Sequence, residues 1–244
     1  SHLALTTEAI NPLLNAIVTI LPSAADNAGE QAKTPGGEDL YVDCNADDPL
    51  AAFVFKTVTD PFVGKMSYIK VVAGKLAASS SPTNVRAGVP ERMGKLVTIR
   101  GKKQEDPDYL GAGDIGFICK LAEAVTGDSI CDAKRLVLFE KAPFPKPSLT
   151  MAIQLKGKGD EGKIAQALLR LMEEDPAIAF ENNTETRQQL ISGLGEQHLD
   201  VIVSKLKNKF GIETTLTKQR VAYRETIRKK VKVQGRHKKQ SGGH

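Results

Sequence analysis

The 244-residue sequence contains no tryptophan, three cysteines and four histidines. Three cysteines cannot all pair within one chain, and Cys44, Cys119 and Cys131 lack the spacing of a zinc site. We therefore expect reduced thiols and no metal. No apolar run approaches the roughly 20 residues that cross a bilayer, and no secretory signal is visible. These absences predict a cytoplasmic protein with no membrane partner.

Positive charge is concentrated at the C-terminal end of the sequence. The net charge is +5, but residues 220–244 hold nine Lys or Arg against one Glu, a balance of +8, and the rest carries −3. Tyr223 is the only aromatic residue in this stretch, so contacts to RNA would be made to phosphates without base reading. The alternative is a solvated face. The candidate RNA-contacting cations are Arg228, Lys229, Lys230, Lys232, Arg236, Lys238 and Lys239.

One glycine-rich stretch has part of the spacing of a phosphate-binding loop, G-x-x-x-x-G-K-[ST]. Residues 157–163 fit as far as the lysine, but the next residue is Ile164, which has no hydroxyl for a magnesium ion. Asp160 and Glu161 would also place negative charge beside the phosphates. The sequence contains no Asn-Lys-x-Asp string to read guanine. We therefore predict no catalytic and no cofactor-binding residue in this chain.

Three consecutive acidic residues, Glu173, Glu174 and Asp175, stand before Pro176. Paired carboxylates can perform acid–base catalysis when a pocket shifts their pKa values. At the end of a predicted helix they are more typical of a solvated face, which is our interpretation.

A second polar group, Glu196, Gln197 and His198, opens a predicted helix. One Glu and one His are too few for a zinc site, so we predict no metal there. An acidic residue in the first turn stabilises the helix dipole, and the histidine is expected to pack or to face a neighbouring domain. We take these three residues as candidate interdomain contacts.

Residues 1–47 are predicted to form one helix and a linker. Asn11 can cap a helix that runs to Leu21, and Pro12 suits the first helical position. Residues 22–47 are rich in Ala, Asn, Gly, Glu and Asp, which is typical of a mobile polar linker.

Residues 48–142 have the pattern of a small antiparallel β-barrel. Short apolar runs alternate with turn signals such as Asp60-Pro61 and Ala73-Gly74. The predicted strands are Phe53–Val58, Ser67–Val72, Gly94–Ile99, Gly116–Leu121 and Leu136–Phe139.

Three prolines in residues 142–148 predict an extended connector between two rigid bodies, with few contacts crossing it. Residues 148–219 then follow the order β-α-β-β-α-β, which is the ferredoxin-like pattern. The predicted elements are a strand over Leu149–Leu155, a helix over Gly159–Glu174, strands near Ile178 and over Gln189–Ser192, a helix from Glu196 that Gly211 ends, and a strand through Leu216. The predicted fold class is therefore multi-domain, β and α+β.

Several phrases of the sequence resemble the elongation factor G family of translational GTPases. AAFVFKTVTDPFVGKMSYIKVVAGKL, LGAGDIGFICKL and TGDSIC are similar to its second domain, and ISGLGEQHLDVIV with KFGIE to its third. VAYRET, from Val221, resembles the opening strand of the fourth domain, and the first helix resembles the end of the GTPase domain. Lys70, Val72, Ala73 and Gln197 depart from residues that the family commonly has.

This resemblance implies a fragment of a ribosome-dependent GTPase that promotes translocation of mRNA and tRNA. It assigns residues 1–47 to the end of the GTPase domain and a linker, 48–142 to the barrel, 148–219 to the third domain and 220–244 to the fourth. The implied partners are the ribosome, through rRNA and ribosomal proteins, and the GTPase domain of the parent chain. GTP with Mg is implied for the parent alone. The implied role of the fragment is ribosome docking and interdomain coupling.

Two alternatives remain open from the residues. One is a paralogous ribosome-binding factor of the ribosomal-protection or release type, which the departures at Val72 and Gln197 permit. The other is a stand-alone module that binds RNA or protein.

Overall fold

The structure is a computed structural model that describes residues 7–27, 29–60, 63–157 and 161–236. A β-rich region is followed along the chain by an α+β region, and antiparallel sheets dominate both. None of the described helices combines the length and the apolar composition of a membrane span.

The first helix, α1, spans Thr7–Ile20 and is longer than predicted. The predicted start at Asn11 is wrong, because Pro12 lies inside the helix and not in its first turn. Proline lacks the N–H that would bond to the preceding turn, so its presence there removes one backbone hydrogen bond.

The predicted polar linker is wrong for the middle of residues 22–47. Strands β1 (Glu30–Lys33) and β2 (Asp39–Val42) form an antiparallel hairpin in that segment. Ala32 and Val42 are buried, whereas most neighbouring side chains are exposed. A strand that buries so few side chains has a polar sequence, which explains why composition alone indicated a linker.

Eleven further short strands lie between the hairpin and the connector. They are β3 (Ala51–Asp60), β4 (Gly64–Ala73), β5 (Lys75–Ala77), β6 (Thr83–Asn84), β7 (Val89–Pro90), β8 (Leu96–Arg100), β9 (Lys103–Glu105), β10 (Tyr109–Gly111), β11 (Ile115–Cys119), β12 (Ser129–Cys131) and β13 (Leu138–Phe139). Each of the five predicted strands overlaps one of them.

These strands form the predicted antiparallel barrel. Eight of them make one sheet in the order β7-β6-β12-β3-β4-β11-β8-β9. The separate pair β5–β10 contributes Leu76 and Leu110 to the same buried cluster as Val54 and Ile69 of the large sheet. A register shift in β3, between Val54 and Lys56, breaks the regular pairing with β4, and such bulges bend a strand around a core.

The hairpin is attached to the barrel through β13. Ala32 of β1 lies opposite Phe139 in an antiparallel pair, and both belong to a second buried cluster with Ala51 and Val72. Val72, one of the departures from the family pattern, is therefore a core residue of the barrel.

The second region has the predicted ferredoxin-like topology. Its elements are β14 (Leu149–Leu155), α2 (Glu161–Glu174), β15 (Ala179–Asn183), β16 (Gln188–Gly193), α3 (Glu196–Phe210) and β17 (Thr214–Thr217). The four strands are antiparallel in the order β15-β16-β14-β17, so the first strand of the region lies between the third and the fourth. The predicted helix start at Gly159 lies outside the described residues.

Both helices pack one apolar face against this sheet. Ile164, Leu168 and Leu171 of α2 share a buried cluster with Leu199 and Ile202 of α3, as their spacing of three or four residues requires. Gly211 ends α3 at φ +69°, the left-handed conformation predicted for it. Ile164, the residue that breaks the phosphate-loop motif, is fully buried.

We predict that Leu168→Ala lowers the free energy of unfolding of the ferredoxin-like region by about 2–5 kcal/mol, because it leaves a cavity in a closed core. Leu168 is 0% exposed, whereas its neighbour Leu169 is 56% exposed. Leu169→Ala is therefore the matched control, and we expect it to change stability by less than about 0.5 kcal/mol. Urea denaturation of both variants measures the difference. Equal losses would contradict the described packing of α2.

Candidate functional site

The C-terminal end of α2 contacts the barrel. The sequence predicts a solvated face for Glu173, Glu174 and Asp175, and this prediction is wrong for Glu174, whose side chain is 9% exposed. The C-terminal end of β3, around Thr59, covers the Glu174 side chain. Nothing in the sequence signals this contact, because it joins residues 115 positions apart.

Glu174 accepts hydrogen bonds from two groups of one barrel residue. The backbone N–H of Thr59 donates to Oε1 over 2.7 Å, and the Thr59 hydroxyl donates to the same oxygen over 2.6 Å. The Thr59 hydroxyl also lies 3.4 Å from the Arg170 carbonyl of α2. A weaker contact runs beside this one, where Lys65 Nζ of β4 lies 3.8 Å from Glu173 Oε2.

Two lysines of α3 neutralise Glu174 from its own domain. Lys209 donates to Oε1, and Lys205 Nζ lies 3.7 Å from Oε2. Burial opposes ionisation of Glu174, but the hydrogen bonds from Lys209 and Thr59 outweigh it, so the pKa of this carboxyl lies below its ordinary value of 4.5. The carboxylate is therefore charged at neutral pH.

The next residue, Asp175, contacts α3, although 34% of its side chain is exposed. Its Oδ2 lies 2.9 Å from His198 Nε2, and its Oδ1 accepts the Ala177 N–H over 2.9 Å. His198 Nδ1 accepts the Leu194 N–H over 3.0 Å. A ring nitrogen that accepts carries no proton, so Nε2 holds the proton and donates to Asp175. The histidine thus fixes the turn before α3 to the end of α2.

The predicted interdomain group is divided by the structure. His198 is partly buried and is bound within its own domain, while Glu196 and Gln197 are exposed in the first turn of α3. In the described part of the chain, no hydrogen bond or ion pair joins these two exposed side chains to the barrel. An interdomain role for the three residues stays a prediction.

The basic C-terminal segment, residues 220–244, is exposed throughout its described part, residues 220–236. Residues 218–236 contain no strand in this structure, and their assignment to the opening of a fourth domain stays a prediction. A strand needs a neighbour to accept its backbone hydrogen bonds, and within residues 220–236 the contacts that hold this segment lie at its start. There the Arg220 N–H donates to Gln188 Oε1 over 2.8 Å, and Arg224 pairs with Glu185.

The candidate RNA-contacting cations divide into two groups. Arg228, Lys229, Lys230, Lys232 and Arg236 are exposed. Lys238 and Lys239 lie outside the described residues. Exposure leaves the first five cations accessible to a polyanion.

The barrel contains one further buried polar cluster. Glu91 and Asp128 are each 1% exposed, and the Asn84 side-chain amide donates to both. Burial opposes ionisation of Asp128, but hydrogen bonds from Arg86, the Val125 N–H and Asn84 lower its pKa. The described partners of this cluster lie in the barrel, apart from Lys141 at the start of the connector, whose Nζ lies 3.6 Å from Asp128 Oδ1, so we assign the cluster to barrel stability. Among the described residues, no group of three or more His, Cys, Asp or Glu could hold a metal ion.

We predict that Glu174 stabilises the fold in a pH-dependent way. Because its folded pKa is depressed, its contribution is present above 4.5 and is lost as the pH falls through the folded value below 4.5. Chemical denaturation at several pH values gives the free energy of unfolding of wild type and of Glu174→Gln, and the difference between the two is compared across pH. The difference should be largest near neutral pH and shrink in acid. Asp128 is present in both proteins and contributes equally to both curves of stability against pH. A difference in the free energy of unfolding that does not vary with pH would contradict the assignment.

Comparisons with known proteins cover both regions of this chain. The family model described as Elongation factor G domain 2 matches residues 49–133, and the model described as Elongation Factor G, domain III matches residues 144–218. A solved structure from Thermus thermophilus superposes with a TM-score of 0.68 at 28% identity, covering 87% of this chain and 29% of that one.

Two curated relatives have matching sequences along nearly the whole chain. Elongation factor G of Fervidobacterium nodosum is 39% identical and elongation factor G of Pseudothermotoga lettingae 38% identical, each over 234 residues and 96% of this chain. The chain spans about a third of the length of these relatives, 34% in each case. With two domain models of one family matched in order, the chain belongs to the elongation factor G family through its second and third domains.

Proposed function

We propose that this chain is the docking and coupling part of a ribosome-dependent translational GTPase that moves mRNA and tRNA during elongation. The observation that carries the proposal is the ordered match of both domains to elongation factor G. The parent protein would act in the cytoplasm and would bind GTP with Mg in a domain outside these residues.

Coupling fits the architecture of the chain. The barrel and the ferredoxin-like domain each have their own buried core, and an exposed segment, residues 141–148, joins them. Two rigid bodies with a small joint between them can transmit a change at one end as a rotation at the other. On this proposal, the joint passes the nucleotide state of the GTPase domain to the remainder of the factor.

Docking would involve ribosomal RNA and ribosomal proteins. The cations between Arg228 and Arg236 supply positive charge without neighbouring carboxylates, apart from Glu225. Such a segment suits phosphate contacts that are independent of base sequence. Because the segment is a long exposed stretch of chain, it can also follow an RNA surface.

We predict that replacing Lys229, Lys230 and Lys232 with Ala flattens the salt dependence of ribosome binding. Each phosphate contact contributes a logarithmic slope of roughly −0.7 to −0.9, so the triple variant should lose about two to three units. Binding of the chain to purified ribosomes at several salt concentrations measures this slope.

The matched control replaces three exposed barrel and connector lysines, Lys102, Lys134 and Lys146, with Ala. It removes the same charge and should leave the slope unchanged. An unchanged slope in the first variant would reject the RNA role of the segment. Absence of ribosome binding by the wild-type chain at low salt would contradict the proposed function itself.

A further inference from the structure

No described hydrophobic cluster spans both domains. The three clusters of the barrel region draw on residues 32–139, and the cluster of the ferredoxin-like domain draws on residues 149–216. Among the described residues, burial of apolar surface therefore holds each domain together without fixing one against the other. The relative orientation of the two domains depends on the polar contacts between them.

Those polar contacts converge on one carboxylate. Glu174 receives both the N–H and the hydroxyl of Thr59, at 2.7 and 2.6 Å. The neighbouring contact between Lys65 and Glu173 is longer, at 3.8 Å, and the Glu173 side chain is 41% exposed. Exposed ion pairs of that kind contribute little, which leaves Glu174 as the principal connection among the described residues.

We propose that Glu174 is a latch that holds the barrel and the ferredoxin-like domain in the orientation of this structure, and that its separation from Thr59 allows the two domains to rotate. The proposal deepens the coupling role proposed above by naming the contact that opens and closes.

The two sides of the latch differ in a way that permits opening. Thr59 offers only neutral donors, and water can replace these when the barrel moves away. Lys205 and Lys209 belong to the same domain as Glu174 and stay with it. Opening therefore leaves no buried charge unpaired. An unpaired buried charge would cost far more free energy than the loss of two neutral hydrogen bonds.

Other charged groups surround the latch without replacing it. Asp60 follows Thr59 on β3, Lys65 lies on β4, and Glu173 precedes Glu174 on α2. Asp175 is engaged by His198 on the far side of the α2 end. The Lys65 ammonium has no acceptor, and none of the three carboxylates accepts the Thr59 N–H in the described structure, so removing Glu174 should leave that donor without its protein partner.

The test measures the distance between the domains in the full chain. Cys44 is replaced by Ser, and spin labels are attached to Lys134→Cys in the barrel and Asn208→Cys on α3, both exposed positions. Cys119 and Cys131 are buried and stay in place. Double electron–electron resonance then gives the distribution of the interdomain distance in the labelled chain with Glu174 and in the same chain with Glu174→Gln.

We expect one narrow distance in the otherwise wild-type chain and a distribution at least twice as broad with Glu174→Gln. Thr59→Val, which removes only the barrel hydroxyl, should broaden it to a smaller extent. Glu213→Gln is the matched control: it removes an equal charge from an ion pair with Lys207 that stays within the ferredoxin-like domain. It should leave the distribution narrow.

A narrow distribution in the folded Glu174→Gln chain would overturn the latch, as would equal broadening by Glu213→Gln. If Glu174→Gln does not fold, as judged by circular dichroism, Thr59→Val decides: a distribution as narrow as wild type would then overturn the proposal. No ribosome takes part in this experiment, so failure of the latch and failure of the proposed function give separate results.

Discussion

The arrangement of the two domains depends on a carboxylate that accepts two hydrogen bonds from a single residue across the domain boundary. Glu174 is buried against the end of β3, and the lysines of α3 keep it charged there. Because no described apolar cluster crosses the boundary, this small polar contact has an influence out of proportion to its area. Each core would survive its loss, whereas the relation between the cores would not.

Much of the fold could be predicted from the sequence because local signals agreed with the tertiary structure. Helical spacing from Leu199 to Phe210 and a glycine at 211 indicated α3 and its end, and short apolar runs separated by turn signals indicated the strands of the barrel. The hairpin of β1 and β2 escaped prediction because its few buried residues, among them Ala32 and Val42, are too sparse to produce a periodic signal.

The polar contacts could not be predicted, for a different physical reason. A run of acidic residues at a helix end looks the same whether it faces water or a neighbouring domain. What makes Glu174 different is Thr59, and nothing near Thr59 in the sequence marks it as a partner of a residue 115 positions away. The role of His198 was equally hidden, since the position of Asp175 opposite its ring depends on how α2 and α3 pack.

The most direct test of this account is the hydrogen exchange of the Thr59 backbone amide, followed by NMR. Its described protein partner is the Glu174 carboxylate, whereas the Val54 amide bonds within the barrel to the Asp128 carbonyl. The account predicts that the Thr59 amide is protected in the wild-type chain and loses that protection in Glu174→Ala, while the Val54 amide exchanges equally slowly in both. Rapid exchange of the Thr59 amide in the wild-type chain, or undiminished protection in Glu174→Ala, would contradict it.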